Sequence, residues 1–106
     1  MLEHYSQPCY INAEHPCLVG HFPTNPIVPG VVILDEVLRA AQQSADLGSN
    51  ALDSFTLNTV KFLAPLRPEQ HFIIQLELNR STQRIAFQCL RDTQLIAKGI
   101  LQLDNL

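Results

Sequence analysis

A histidine and an aspartate of this chain, separated by a proline-rich stretch, suggest acid–base chemistry. His21 lies in a loop that also contains Pro23, Pro26 and Pro29, and Asp35 follows that loop. Each proline fixes its own φ angle and lowers the entropy of the unfolded loop, so His21 can be held at a set position. An imidazole base and a carboxylic acid are the pair needed to eliminate water from a β-hydroxyacyl group. One group removes the α proton, and the other protonates the leaving hydroxyl.

The helix predicted to begin at Gly30 supplies a further feature. Helix N-termini present free N–H groups and a partial positive charge, which suit a thioester carbonyl or a developing enolate. Asp35 lies one turn further in, after the apolar run Val31–Leu34, where an unpaired charge is costly. We therefore expect Asp35 to be buried and to act as a general acid. An i,i+4 pair with Arg39 would instead favour the charged carboxylate and oppose that role.

One long helix is predicted to position these groups. The stretch from Gly30 to about Leu47 is rich in apolar residues, and Pro29 and Gly48 mark its two ends. Its first turn is apolar on every side, which is typical of a helix in a buried position. We expect this helix to be buried and not to lie on a surface.

After Leu52 the hydrophobic period changes to two, which indicates strands with one face on a core. Four strands are predicted there and a short one before the helix, with the ranges 8–14, 53–63, 70–80, 83–91 and 94–103. The last three are joined by short links, so we expect antiparallel hairpins. The predicted fold class is α+β: one domain, residues 1–106, with an antiparallel sheet curled around one long central helix.

The composition limits the function classes. Only 16% of the 106 residues are charged, against about 25% in an average soluble domain, so we expect another copy of the chain to cover part of the surface. The seven basic residues are scattered, and no apolar run is as long as a membrane span, so neither a nucleic-acid partner nor a membrane is expected. The N-terminus does not resemble a signal peptide. Three cysteines without metal-ligand spacing favour a reduced, cytoplasmic protein.

The segment around His21 resembles the β-hydroxyacyl-[acyl carrier protein] dehydratases of fatty-acid synthesis, which have the hotdog fold. The matching residues are Gly20-His21-Phe22-Pro23, Pro26-Ile27-Val28-Pro29-Gly30 and, five residues after that glycine, Asp35. The later Val60-Lys61-Phe62-Leu63-Ala64-Pro65 is similar to the family's Val-Lys-Phe-x-x-Pro strand end. An aspartate in place of glutamate resembles the dehydratase/isomerase branch and the short dehydratase-like proteins of aryl polyene and related pigment clusters.

The resemblance implies a site made by two protomers. His21 would be the catalytic base, Asp35 of the other protomer the acid, and the N–H of Gly30 would polarise the thioester carbonyl. The other implied substrate-binding residues are Phe22, Pro29 and Val31. The implied reaction is dehydration of a (3R)-hydroxyacyl group on an acyl carrier protein to the trans-2-enoyl thioester. A homodimer or higher homo-oligomer would catalyse it without a metal or another cofactor.

Two alternative functions are kept open. A thioesterase of the same fold would use Asp35 as base or nucleophile, but it would not need the histidine of the Gly-His-Phe-Pro loop. A non-catalytic acyl-thioester-binding subunit is suggested by the few residues before His21 and by Arg39, which stands where the family has glutamine. Cys17 and Leu18 also replace the aromatic pair that usually precedes the Gly-His.

Overall fold

The fold consists of one helix and five strands. The computed structural model describes residues 2–16, 27–45, 47 and 51–104. In chain order the elements are β1 (Leu2–Tyr10), α1 (Gly30–Ser44), β2 (Phe55–Phe62), β3 (His71–Asn79), β4 (Arg84–Arg91) and β5 (Gln94–Leu103). Within the described residues, no helix has the length and apolar character needed to span a membrane.

The strands form one antiparallel sheet in the order β1-β3-β4-β5-β2. The predicted hairpins between β3, β4 and β5 are confirmed. Their turns contain Gln83 and Asp92 with φ angles of 56° and 57°, a conformation that aspartate tolerates better than most residues. Strands β1 and β2 lie at the two edges of the sheet, so each has one side of its backbone without a partner strand in this protomer.

The core lies between α1 and one face of the sheet. In β3 every second residue is buried, as the alternation predicts, and these residues are Phe72, Ile74, Leu76 and Leu78. Helix α1 covers this inner face with its own buried residues, which are Val32, Ile33, Val37, Ala40 and Ala41. Burial of each large side chain contributes about 1.5–3 kcal/mol. The predicted α+β arrangement of an antiparallel sheet and one long helix is therefore confirmed.

The first strand differs from its prediction. Strand β1 spans Leu2–Tyr10 and not 8–14, and each of its residues has a partner in β3. Polar residues occur on both faces of β1, so its alternation is weak, and the pairing with β3 decides where it lies. Pro8 is compatible with this position because an edge strand has backbone groups outside the ladder.

Two expectations for the helix are also wrong. Helix α1 ends at Ser44 and not at about Leu47, because Ala45 has an extended backbone with φ −105° and ψ 142°. The first turn is not buried on every side in the described protomer: Val31 is 69% exposed. Only the side of α1 that faces the sheet is covered, and Val31 lies on the other side.

Substituting Gly99 tests the packing between β5 and its neighbours. A Cβ atom at this position would overlap the carbonyl oxygen of Thr59 and would lie 2.7 Å from Cζ of Phe87. We expect Gly99→Ala to lower the free energy of unfolding by about 1–3 kcal/mol, the usual cost of overpacking, as measured by urea denaturation. The control is Lys98→Ala at the exposed neighbouring position of β5, which should change stability by less than about 0.5 kcal/mol. Equal stability of Gly99→Ala and the wild type would contradict this packing.

The thiols of Cys9 and Cys89 provide a second test of the core. Burial raises the pKa of the Cys89 thiol to about 12. Burial, followed by the nearby Glu36 carboxylate, raises the pKa of Cys9 to about 12 as well. Because the thiolate is the reactive form, we expect iodoacetamide at pH 8 to alkylate both slowly in the folded protein and quickly in denaturant. Peptide mass spectrometry measures each site, and rapid labelling of Cys89 in the folded chain would contradict its burial.

Candidate active site

Asp35 lies on the outer side of α1. Its side chain is 60% exposed in the described protomer, so the prediction that Asp35 is buried is wrong for a single chain. The helical repeat explains this exposure. When α1 directs Val32 and Val37 toward the sheet, Asp35 falls on the opposite side of the helix.

Arg39 is the hydrogen-bonding partner of Asp35. Nη2 of Arg39 donates to Oδ2 of Asp35 over 3.2 Å, which confirms the predicted i,i+4 pair. An exposed helical pair of this kind contributes only about 0.3–0.5 kcal/mol, because water screens both charges. The pair orients the carboxylate without fixing it, so another group can replace Arg39 at little cost.

An apolar groove of about 230 Å³ lies beside Asp35; we call it the Asp35 groove. Its other lining residues come from α1, β2 and β5, and they are Val31, Leu34, Val37, Leu38, Phe55, Leu57 and Leu101. Among the described residues that line it, Asp35 alone carries a charge. Apolar walls with one carboxylate suit a ligand that is mostly hydrocarbon and has one polar reacting group.

The N-terminus of α1 has free backbone donors. Pro29 precedes the helix with an extended backbone, and its carbonyl accepts from the N–H of Val32 over 3.0 Å and from that of Ile33 over 3.4 Å. Within the described part of the chain, the N–H groups of Gly30 and Val31 have no hydrogen-bond acceptor. Such donors can stabilise negative charge on an oxygen. Gly30, Pro29 and Val31 are at the helix start, as expected, and their roles toward a substrate stay predictions.

A second hollow of about 280 Å³ opens beside Gly30; we call it the Gly30 hollow. It is lined by Ile27, Val28, Gly30, Ile33, Phe62, Leu63, Ala64, Pro65 and Leu66. Apart from Gly30, every lining residue has an apolar side chain. The Gly30 hollow and the Asp35 groove share no lining residue. Gly30 thus borders one hollow, whereas Val31 lines the other together with the candidate acid.

His21 and Phe22 lie outside the described residues, so their roles stay predictions. The residues that flank this segment are anchored to the connection between β2 and β3. The N–H of Glu69 donates to the carbonyl of Ile11, and the N–H of Val28 donates to that of Leu66, each over 2.8 Å. Val28 and Leu66 also line the Gly30 hollow, so the described residues just before α1 are fixed beside that hollow.

The other histidines with described contacts lie away from both hollows. Nδ1 of His4 is 3.8 Å from Oε2 of Glu77, and the His71 ring centroid lies 4.9 Å from that of Tyr10. Across residues 2–16, 27–45, 47 and 51–104, no three His, Cys, Asp or Glu side chains are grouped as metal ligands would be. Of the titratable side chains in the described part of the chain, Asp35 is the one that lines either hollow.

Three further residues line the hollows without a role predicted from the sequence, and they are Phe55, Leu57 and Phe62. Phe62 belongs to the Val-Lys-Phe segment, and the alternation of that segment is the signal that could have identified it. Val60 and Phe62 stand opposite Gly99 and Ala97 on the inner face of the sheet. The apolar positions of this strand end therefore face α1.

Comparison with known proteins gives a family and a fold. The model of the ApeI-like family, described as ApeI dehydratase, matches residues 3–100. The 3-hydroxyacyl-[acyl-carrier-protein] dehydratase FabZ of Histophilus somni strain 2336 is 30% identical over 80 residues, which are 71% of this chain and 53% of that protein. FabZ of Ehrlichia canis is 31% identical over 87 residues, 74% of this chain and 59% of that protein. The chain thus spans about half the length of the curated relatives it matches.

Solved structures share the architecture. The dehydratase heterocomplex ApeI:P from Xenorhabdus doucetiae aligns with a TM-score of 0.81 and 24% identity, covering 97% of this chain and 93% of that one. A mutant of the fluoroacetyl-CoA-specific thioesterase FlK aligns with a TM-score of 0.63 and 12% identity, covering 98% and 87%. At these identities the likeness shows the fold, and the predicted hotdog fold is confirmed. Since the family model matches nearly all of the sequence, this chain belongs to the ApeI-like dehydratase family.

Proposed function

We propose that this chain eliminates water from a (3R)-3-hydroxyacyl group on an acyl carrier protein and so forms the trans-2-enoyl thioester. The observation that carries the proposal is the Asp35 groove, an apolar hollow in which Asp35 is the one charged residue among the described lining. The FabZ relatives support the same reaction and the same carrier, since they are named as 3-hydroxyacyl-[acyl-carrier-protein] dehydratases.

In the proposed mechanism His21 removes a proton from C2, and Asp35 donates a proton to the hydroxyl on C3. The C3–O bond breaks, the electron pair of the C2–H bond forms the C2–C3 double bond, and water leaves. The N–H of Gly30, which has no acceptor among the described residues, stabilises the negative charge that develops on the thioester oxygen. The residues proposed to enclose the thioester are Phe22, Pro29 and Val31.

The site is proposed to be shared by two protomers. In one protomer the Asp35 groove and the Gly30 hollow share no lining residue, and Val31 and Leu57 are 69% and 41% exposed. Pairing of two β2 edges would extend the sheet and cover these apolar side chains. His21 of one protomer would then meet Asp35 of the other.

Removing either acid–base group tests the mechanism. We expect His21→Ala and Asp35→Asn each to lower kcat/KM at least about 100-fold, because one positioned acid or base contributes roughly that much. The measurement is the absorbance of the enoyl thioester formed from 3-hydroxyacyl carrier proteins of several chain lengths.

The matched control is Glu36→Gln, the neighbouring carboxylate on α1. Glu36 accepts from the thiol of Cys9 over 3.5 Å and does not line the Asp35 groove, so its substitution should leave activity at the wild-type level. Equal losses in Glu36→Gln and Asp35→Asn would show that Asp35 has no special role.

Arg39→Gln tests whether the Asp35–Arg39 pair belongs to the reaction. The exposed pair contributes little to stability, and Arg39 is not among the residues that line the Asp35 groove. We expect dehydration to be retained and the free energy of unfolding to change by less than about 0.5 kcal/mol. Urea denaturation and the enoyl assay measure both. A loss as large as that of Asp35→Asn would instead make Arg39 part of the catalytic machinery.

Hydrolysis of an acyl thioester is the second candidate function. The shared fold of the thioesterase FlK favours it, and Asp35 would then act as base or nucleophile. Release of free thiol from the substrate would support hydrolysis, whereas enoyl absorbance without free thiol supports dehydration. A purified protein that is inert on every chain length would overturn both and favour a non-catalytic acyl-thioester-binding subunit.

A further inference from the structure

Phe62 ends β2 with its ring against the start of α1. It stands opposite Ala97 in the register of β2 and β5, and Ala97 is buried, so Phe62 points to the inner face of the sheet. A phenylalanine on this face would be expected to be covered, but Phe62 is 50% exposed. The uncovered part of the ring borders the Gly30 hollow. Phe62 is therefore a wall of that hollow more than a member of the core.

The absence of a side chain at Gly30 permits this position of the ring. A Cβ atom on Gly30 would lie 2.6 Å from Cζ of Phe62, and 2.9 and 3.0 Å from its Cε2 and Cε1. Cβ atoms essentially never approach another heavy atom more closely than 3.0 Å. Any other residue at position 30 would displace the ring from this turn of the helix.

The same turn carries the N–H groups of Gly30 and Val31, for which the described part of the chain offers no acceptor. A carbonyl oxygen bound there would lie about 2.9 Å from the donor nitrogen. Because the Phe62 ring packs against Gly30 and lines the hollow that opens beside it, the ring would restrict the width of an acyl group close to its thioester.

We propose that Phe62 is a specificity-determining residue that excludes acyl groups with a branch next to the thioester carbonyl. The inference rests on the proposed binding of that carbonyl at Gly30. The substrate class is unbranched 3-hydroxyacyl thioesters, because a methyl group on C2 would need the space that the ring edge occupies.

Phe62→Ala tests this inference with two substrates, a 3-hydroxyacyl carrier protein and its 2-methyl-3-hydroxyacyl counterpart. We expect the ratio of kcat/KM, branched over unbranched, to rise roughly 10- to 200-fold, the discrimination that one methyl group commands in an apolar pocket. A second readout needs no turnover. It is the ratio of dissociation constants for two saturated acyl-pantetheine amides, with and without the 2-methyl group, which should shift in the same direction.

Leu63→Ala is the matched control. Leu63 lines the same hollow and is 52% exposed, but none of its atoms is among the three nearest to a Cβ on Gly30. Both ratios should therefore stay at their wild-type values in Leu63→Ala. Phe62→Leu should give a smaller shift than Phe62→Ala, and it decides the question if Phe62→Ala does not fold. Thermal unfolding of each variant establishes folding.

The outcomes separate this inference from the proposed function. Unchanged ratios in the folded Phe62 variants, or an equal shift in Leu63→Ala, overturn the role of Phe62 even if the wild type dehydrates its substrate. If the wild type is inactive but its amide-binding ratio depends on Phe62, dehydration is overturned and the exclusion of branched acyl groups by Phe62 is supported. If the wild type neither turns over the substrate nor binds either amide, the proposed dehydration and the role of Phe62 are both overturned.

Discussion

Helix α1 is buried on one side only, and this burial fixes the direction in which each of its other residues points. The helix is held by the side that carries Val32, Ile33 and Val37, and each such residue contributes about 1.5–3 kcal/mol through burial. Rotating α1 to bury Asp35 would expose several of these side chains, so the helix cannot turn. Residues without any chemical role therefore decide that Asp35 faces outward, toward a surface that one chain leaves open.

The parts of the fold that pair locally can be predicted from the sequence. In β3, β4 and β5 the apolar alternation predicts which face of each strand is buried, and the short links predict antiparallel pairing of neighbouring strands. The predicted bounds of these strands therefore agree closely with the structure. Strand β1 is different because its partner β3 lies far along the chain, and its mixed polarity gives no clear face. The end of α1 is predicted too late for a related reason. Leu47 is buried although the helix has already ended, and an apolar residue at that position is also what a longer helix would have.

The candidate site divides in the same way. Spacing along a helix is fixed, so the pairing of Asp35 with Arg39 follows from the sequence. The exposure of Asp35 does not follow from the sequence. An apolar run before it does not show whether the sheet of the same chain or a second chain covers that part of the helix. The position of the Phe62 ring does not follow either, since it depends on a contact between the end of β2 and the start of α1. Sequence patterns identify groups within an element better than contacts between elements.

The contact between Gly30 and Phe62 also limits the order in which substitutions at these two positions can arise during evolution. The two positions share one volume, because the ring occupies the place of a Cβ atom on residue 30. A larger residue at position 30 becomes acceptable only after position 62 has become smaller, so the two substitutions are epistatic and their order matters. The reverse order passes through an intermediate in which the start of the helix and the end of an edge strand collide.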